Sequence, residues 1–254
     1  MSKRVYNFAS GPAMLPEEVI EQISRDLLSY NDSGMSIMEI SPKSPAFREI
    51  LASAEKLLRE LIHIPANYKV LFLPGDATQQ FAMIPMNLLS AHKCADYILT
   101  GQRSHRAMME AKRYGDIAVA ASSAGATPIY STIPEVNRAN FRPDADYIHI
   151  TYNNSIYGTK YPTIPDTGNI PLVADIIHYA IKGMEVPYIY DRVAKGLSSD
   201  EFCERLLYEH KCAIVPGTAF GESGEGFARI SYAYSVKHIA EALERIEAFV
   251  KTLK

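Results

Sequence analysis

Between residues 70 and 150 the chain alternates short apolar runs with stretches of helical periodicity, and that alternation restricts the fold more than any other feature. Val70-Leu-Phe-Leu73 runs into the turn Pro74-Gly75-Asp76-Ala77-Thr78, and Gln79 to Leu89 then has a helix pattern. Tyr97 to Leu99 passes through Thr100-Gly101 into a helix over about 104 to 114, and Ile117 to Ala120 is the next apolar run. Tyr147 to Ile150 and Leu172 to Ala174 extend the series. Short strands separated by helices need crossover connections, which predicts an α/β fold whose mostly parallel sheet is covered by helices on both faces. Ahead of the series, helices are expected over about 16 to 30, where Val19, Ile20, Ile23, Leu27 and Leu28 recur at helical spacing, and near 45 to 62.

After residue 175 the pattern changes. An apolar, helix-like run follows Ile176, and Pro187 to Asp191 is a second buried strand ending in an acid. Ser198 and Glu201 have capping-box spacing at the start of a helix to about 209. Cys212 to Val215 and Ala228 to Tyr232 read as strands, and Ser235 to Lys251 as an amphipathic helix with Ile239, Leu243, Ile246 and Val250 on one face. The expected division is a large domain over 1–193 and a small α+β portion over 194–254.

A net charge of −3 argues against nucleic acid or an anionic membrane as partner. No stretch approaches the eighteen or so apolar residues that a membrane helix needs, and no signal-peptide pattern opens the chain. Cys94, Cys203 and Cys212 have no metal or CxxC spacing, which points to reduced thiols in the cytoplasm. None of the seven histidines has metal-ligand spacing and they are read as ordinary surface or core residues. HExxH, GxSxG and P-loop motifs are absent.

Three places could carry chemistry. Gly75, Ala77 and Thr78 stand where a strand turns into a helix, and free N–H groups at a helix N-terminus favour a phosphate. The same residues make an ordinary βα turn capped by Thr78, and the carboxylate of Asp76 favours that plainer reading by repelling a phosphate. Asp175 and Asp191 each end a strand where ligands of parallel sheets sit; either could hold a protonated ring nitrogen, or serve as a cap or turn acid. Arg229 could clamp a carboxylate with two hydrogen bonds, or be an exposed strand arginine.

Five blocks carry a resemblance: Asn7-Phe-Ala-Ser-Gly-Pro-Ala-Met-Leu-Pro16, Ser36-Ile-Met-Glu-Ile-Ser41, Gln80-Phe-Ala-Met-Ile-Pro-Met-Asn-Leu-Leu89, Glu110-Ala-Lys-Arg-Tyr-Gly115 and Pro165-Asp-Thr-Gly-Asn-Ile-Pro-Leu-Val-Ala-Asp175. Through them, residues 5 to 175 resemble the N-terminal half of the phosphoserine aminotransferases. That family has the aspartate aminotransferase fold, uses pyridoxal 5'-phosphate, and exchanges an amino group between glutamate and 3-phosphohydroxypyruvate. The resemblance implies a shortened large domain, a homodimer, and cofactor contacts from Gly75, Ala77 and Thr78 at the phosphate, Ser155 at the ring and Asp175 at the pyridine nitrogen. Cys212-Ala-Ile-Val-Pro-Gly-Thr-Ala-Phe220 and Gly224 to Ala233 are similar to the small domain of class I aminotransferases. In that comparison Asp191 takes the pyridine-nitrogen role and Arg229 binds the substrate carboxylate.

The departures are as specific as the matches. Both subfamilies place the Schiff-base lysine after the acid, and no lysine here stands in a matching motif; Lys182 and Lys195 are the nearest. Lys43 follows Pro42 where the family uses His-Arg for substrate anions, Arg103 replaces a tryptophan stacked on the ring, and Asp76 replaces a second glycine. Two subfamilies meeting near residue 176 suggest an engineered chimera, and the missing lysine suggests that transamination is lost. An aminotransferase with an unrecognised lysine and a non-covalent binder of phosphate or pyridoxal compounds are the alternatives.

Overall fold

The computed structural model describes residues 4–9, 14–154, 156–176, 188–192, 196–220, 225–231 and 236–253. The chain opens with β1 (Tyr6–Asn7), α1 (Glu17–Asp26) and α2 (Pro45–Ile62). Glu17 and Glu18 lie in the first turn of α1, where carboxylates complement the helix dipole. Ser44 accepts the Phe47 N–H at 3.2 Å to start α2, and His63, at φ 53°, ends it in the left-handed region. Neither helix has a buried residue. The apolar stripe Val19, Ile20, Ile23, Leu27 and Leu28 lies exposed.

Next come α3 (Ala77–Leu88), β2 (Cys94–Leu99), α4 (Gln102–Ala111), β3 (Asp116–Ser122) and β4 (Tyr147–Thr151). The hairpin of β5 (Asn153–Asn154) and β6 (Thr159–Lys160) leads to β7 (Leu172–Asp175). The main sheet has the order β3-β2-β4-β7, with every pairing parallel. The pleat sorts its side chains. Ala95, Tyr97, Leu99 and Tyr147 pack with Phe81, Ala107, Met108 and Ala111 of α3 and α4. Ile98, Ile148 and Ile150 pack on the other side with Phe141 and Tyr161. Burying each such side chain contributes roughly 1.5–3 kcal/mol, which fixes strand register, because a slip by one residue would exchange the two faces.

The remainder comprises β8 (Tyr188–Arg192), α5 (Ser199–His210), β9 (Cys212–Ala213), β10 (Val215–Pro216), β11 (Phe227–Ser231) and α6 (Val236–Thr252). The Ser198 hydroxyl accepts the Glu201 N–H at 3.2 Å at the start of α5. β10, β11 and β8 form an antiparallel sheet, while β9 pairs in parallel with β1. The run from Cys212 to Val215, expected as one strand, thus divides at Ile214 between two sheets. Tyr6 and Phe8 join Phe202, Leu206, Cys212 and Phe249 in one core cluster, so the first strand of the chain packs with its last helices.

One expected strand is not formed. Val70 to Leu73 pairs with no strand among the described residues, and Leu71, Phe72 and Leu73 are 72%, 53% and 50% exposed. Its apolar residues suit a buried strand, but a strand exists only against a neighbour, and the sheet stops at β7. The helix-like run after Ile176 lies outside the described residues.

The turn from α3 to β2 is held from a distance. The Asp146 carboxylate, just before β4, accepts the N–H groups of Ser90, Ala91, His92 and Lys93 at 2.9, 3.2, 3.1 and 3.0 Å. Burial alone would raise its pKa, yet these four donors hold it below the usual carboxylate range. Asp146→Ala should therefore lower unfolding free energy by about 2–3 kcal/mol, since it strands several donors at once. Urea denaturation is the measurement, and a loss under about 0.5 kcal/mol would show that the clamp adds nothing to the fold.

Candidate functional site

A cleft of ≈ 520 Å³ opens at the C-terminal rim of the main sheet. Leu71, Leu73, Phe81, Ile84, Ala174 and Ile176 make it apolar, and Asp76, His149 and Asp175 are its ionisable lining residues. Parallel sheets bring this rim together with helix N-termini, the usual position of ligands in open α/β folds.

At one end stands α3. Gly75 turns into it at φ +82°, a conformation that costs glycine nothing and L side chains much. Asp76 is the N-cap: its carboxylate accepts the Thr78 N–H at 2.7 Å and faces the Thr78 hydroxyl at 3.4 Å. The Thr78 N–H and hydroxyl hold the Asp76 carboxyl below its ordinary value, and the Arg103 guanidinium acts in the same direction. Ala77 lines the cleft; Thr78 is exposed outside it.

At the other end stands Asp175, the last residue of β7. Its side chain is 4% exposed and receives Arg103 Nε at 3.0 Å. Arg103 comes from the first turn of α4, 5.6 Å above the Phe81 ring centroid, and its Nη2 is buried without a hydrogen-bond partner among the described residues. The start of α4 is fixed by Ser104, whose hydroxyl accepts the N–H groups of Thr100 and Gly101 at 2.9 and 3.1 Å and donates to Gly101 O at 2.8 Å. A Cβ on Gly101 would meet Asn154 Oδ1 at 2.7 Å, so only glycine allows β5 this close.

His149 of β4 closes the floor. It is 1% exposed, stacked on Tyr97 at 4.7 Å and edge-on to Phe81 at 6.2 Å. Neither ring nitrogen has a hydrogen-bond partner among the described residues. Burial pushes its pKa down to about 4, with the Asp175 charge opposing, so the ring is neutral at pH 7.

Of the residues singled out in the sequence, Gly75, Ala77 and Asp175 meet in the cleft. Asp191 lies on β8 opposite Ala228, and Arg229 is buried on β11 opposite Tyr190. Lys43 is exposed just before α2. Among the described residues, neither Arg229 nor Lys43 lines the cleft. Ser155, Lys182 and Lys195 lie outside the described residues. His149, read as an ordinary histidine, and the Arg103 to Asp175 pairing were not anticipated. The available signal was a histidine inside the apolar run Tyr147-Ile-His-Ile150.

A pyridoxal phosphate needs an acid for its ring nitrogen, an amide-rich end for its phosphate and apolar walls for its ring. Asp175, the α3 N-terminus, and Phe81 with Leu71 and Leu73 stand in these positions, with the Asp175 carboxylate paired to Arg103 and the Thr78 N–H taken by Asp76. The unpartnered nitrogens of His149 add polar capacity that the fold itself leaves unused. In outline the cleft fits the group.

The profile of the class-V aminotransferases matches residues 5–177. The phosphoserine aminotransferase of Bacillus anthracis is 48% identical over 176 residues, 69% of this chain and 48% of its own length. That of Acidithiobacillus ferrooxidans is 46% identical over 175 residues, again 69% and 48%. The chain spans about half the length of these curated relatives. The solved phosphoserine aminotransferase of Bacillus circulans subsp. alkalophilus superposes with TM-score 0.63 at 32% identity, covering 98% of this chain and 64% of its own. A ureidoglycine-glyoxylate aminotransferase from Bacillus subtilis shares the fold over 100% of this chain and 94% of its own, with TM-score 0.70 at 10% identity.

The buried histidine makes a measurable prediction. Its imidazole titrates near 6.5 in an unfolded chain and at about 4 in the fold. Between those values the unfolded state binds the extra proton, so stability falls as pH drops from about 6.5 to about 4, by up to about 3 kcal/mol. His149→Leu should lack that component. Subtracting its stability profile from that of wild type between pH 7 and pH 4 isolates it, and parallel profiles would refute the buried, neutral state.

Proposed function

Because the chain belongs to the class-V aminotransferase family, we propose that its cleft is a pyridoxal-phosphate site of the kind at which small amino and keto acids exchange an amino group, with phosphoserine-type substrates the nearest model. The observation that carries this reading is the meeting of Asp175, at the end of β7, with the N-terminus of α3 across a single apolar cleft. The group, once bound, supplies the electron sink for chemistry at a substrate Cα. Asp175 would hold a proton at the ring nitrogen once Arg103 gives way, and its burial would strengthen that contact. His149, neutral and packed between Tyr97 and Phe81, accepts or donates one hydrogen bond without adding charge. The apolar walls exclude water from the ring.

Several finer assignments belong to the same proposal. Gly75 and Ala77 would face the phosphate; the assignments of Thr78 to the phosphate, Ser155 to the ring, Lys43 and Arg229 to the substrate anions and Asp191 as the alternative acid rest on the resemblance alone, since Thr78, Lys43 and Arg229 stand outside the cleft lining. A homodimer would cover the apolar side chains that α1 and α2 leave exposed; a division at 193/194 belongs to the same proposal, with Tyr6 and Phe8 reaching across it into the C-terminal core and β8 pairing beyond it with β11.

A second reading, non-covalent binding, is favoured by one observation: no lysine lines the cleft among the described residues. Borohydride reduction in the presence of pyridoxal phosphate, followed by peptide mapping, separates the two. The aminotransferase reading expects a reduced adduct on Lys182 or Lys195. Binding without any modified lysine leaves the second reading, and no binding at all sinks both. Asp175→Asn should weaken binding about tenfold, the value of one charge-assisted hydrogen bond.

A further inference from the structure

We propose that the chain fills both charged ends of this cleft with its own side chains, Asp76 standing in for a phosphate and Arg103 for a ring cation, and that these two residues decide which pyridoxal compounds the site accepts. The proposal rests on the cofactor-site reading above and goes beyond it, because that reading gives neither residue a role.

At the α3 end, a bound phosphate would take the free N–H groups of the first helical turn. Here the Asp76 carboxylate already accepts the Thr78 N–H at 2.7 Å. It supplies the negative charge that the helix dipole favours, so an incoming phosphate meets an occupied donor and a like charge within the same turn. At the β7 end, a ring N–H would donate to Asp175. The Arg103 Nε donates there at 3.0 Å, in a contact where the carboxylate is 4% exposed. Arg103 is held there by the Phe81 face at 5.6 Å and by the fixed start of α4. Both nitrogens of His149, a lining residue, have no hydrogen-bond partner among the described residues, so polar capacity remains for a ligand after the two ends are filled. The result is a site whose middle is prepared for an aromatic ring and whose ends are already neutralised.

The two residues act on different parts of a ligand, which makes them separable. Asp76 opposes only the phosphate, whereas Arg103 opposes any ring that must donate to Asp175. Asp76→Asn keeps the cap acceptor and removes its charge; Arg103→Gln removes the competing cation. Dissociation constants for pyridoxal phosphate and for unphosphorylated pyridoxal are measured by ligand fluorescence on the full chain, with circular dichroism to confirm folding. Asp76→Asn is expected to tighten pyridoxal phosphate about tenfold and to leave pyridoxal within about twofold. Arg103→Gln is expected to tighten pyridoxal about tenfold, and pyridoxal phosphate by less, because the Arg103 charge also reaches the α3 end. If Arg103→Gln unfolds alone because Asp175 is left uncompensated, recovery of its ellipticity on adding pyridoxal is the equivalent result, and absence of recovery counts against the Arg103 half. Asp76→Asn variants that bind the phosphorylated compound no tighter, or that tighten both compounds equally, overturn the proposal. In that case binding by wild type leaves the cofactor-site reading standing, while no binding by any of the proteins removes both.

Discussion

Because β2, β4 and β7 run parallel, Leu99, Thr151 and Asp175 all finish at one rim of the sheet, and every functional feature of the chain follows from that shared direction. Each crossover helix must begin at the same rim. This is how Arg103, in the first turn of α4, and Asp175, at the end of β7, meet at 3.0 Å although 72 residues separate them. The approach depends on details that sheet direction alone would not provide. Ser104 satisfies the N–H groups of Thr100 and Gly101 where the strand turns into the helix, and the missing Cβ of Gly101 admits Asn154.

The two ends of the cleft differ in physical character although each carries an aspartate. Asp175 is buried, and a carboxylate taken out of water costs several kcal/mol unless a partner compensates it. Arg103 is therefore best understood through what its absence would leave behind. A buried pair of this kind adds little net stability, but removing one member exposes the fold to an uncompensated charge. Any ligand that displaces Arg103 must bring its own cation or donor. Asp76 is exposed and solvated, and it acts through the cap of a helix, an effect of about 1 kcal/mol. The Asp175 end is thus locked by desolvation and the Asp76 end only softly occupied.

Much of the fold was legible in the sequence because its signals are local. Apolar runs of strand length separated by helical periodicity gave the parallel sheet, and helical spacing from Val19 to Leu28 placed α1. The failures arise where structure depends on neighbours. Val70 to Leu73 has the composition of a buried strand, but composition carries no information on whether another strand lies beside it. Cys212 to Val215 is uniformly apolar, yet its two halves serve different sheets, since β9 answers to β1 at the far end of the chain. At the site, Gly75, Ala77 and Asp175 were legible because turn chemistry and strand ends are written locally. His149 was not, because its significance comes from Tyr97, Phe81 and Asp175 closing around it. Arg103 was visible as a departure, but only the sheet direction reveals which acid it reaches.

The cleft itself is a product of the sheet's limit. Among the described residues no strand pairs with the outer edge of β7, and the extended Leu71 to Leu73 segment faces the same opening, with Leu71, Leu73 and Ile176 on its walls. Two edges of strand character stand apart with an apolar gap between them. Water in such a gap is poorly satisfied, and covering its walls yields roughly 25 cal/mol for each Å² of apolar surface removed from solvent. A flat aromatic ligand seated there would therefore gain from the walls as well as from the polar ends. It would also tie the Leu71 segment to β7, which nothing in the described sheet does. Ligand binding and local order are then linked by mass action, so occupancy of the cleft should stabilise the turn at Gly75 and the end of β7 together, even where the charges at its two ends are already matched by Asp76 and Arg103.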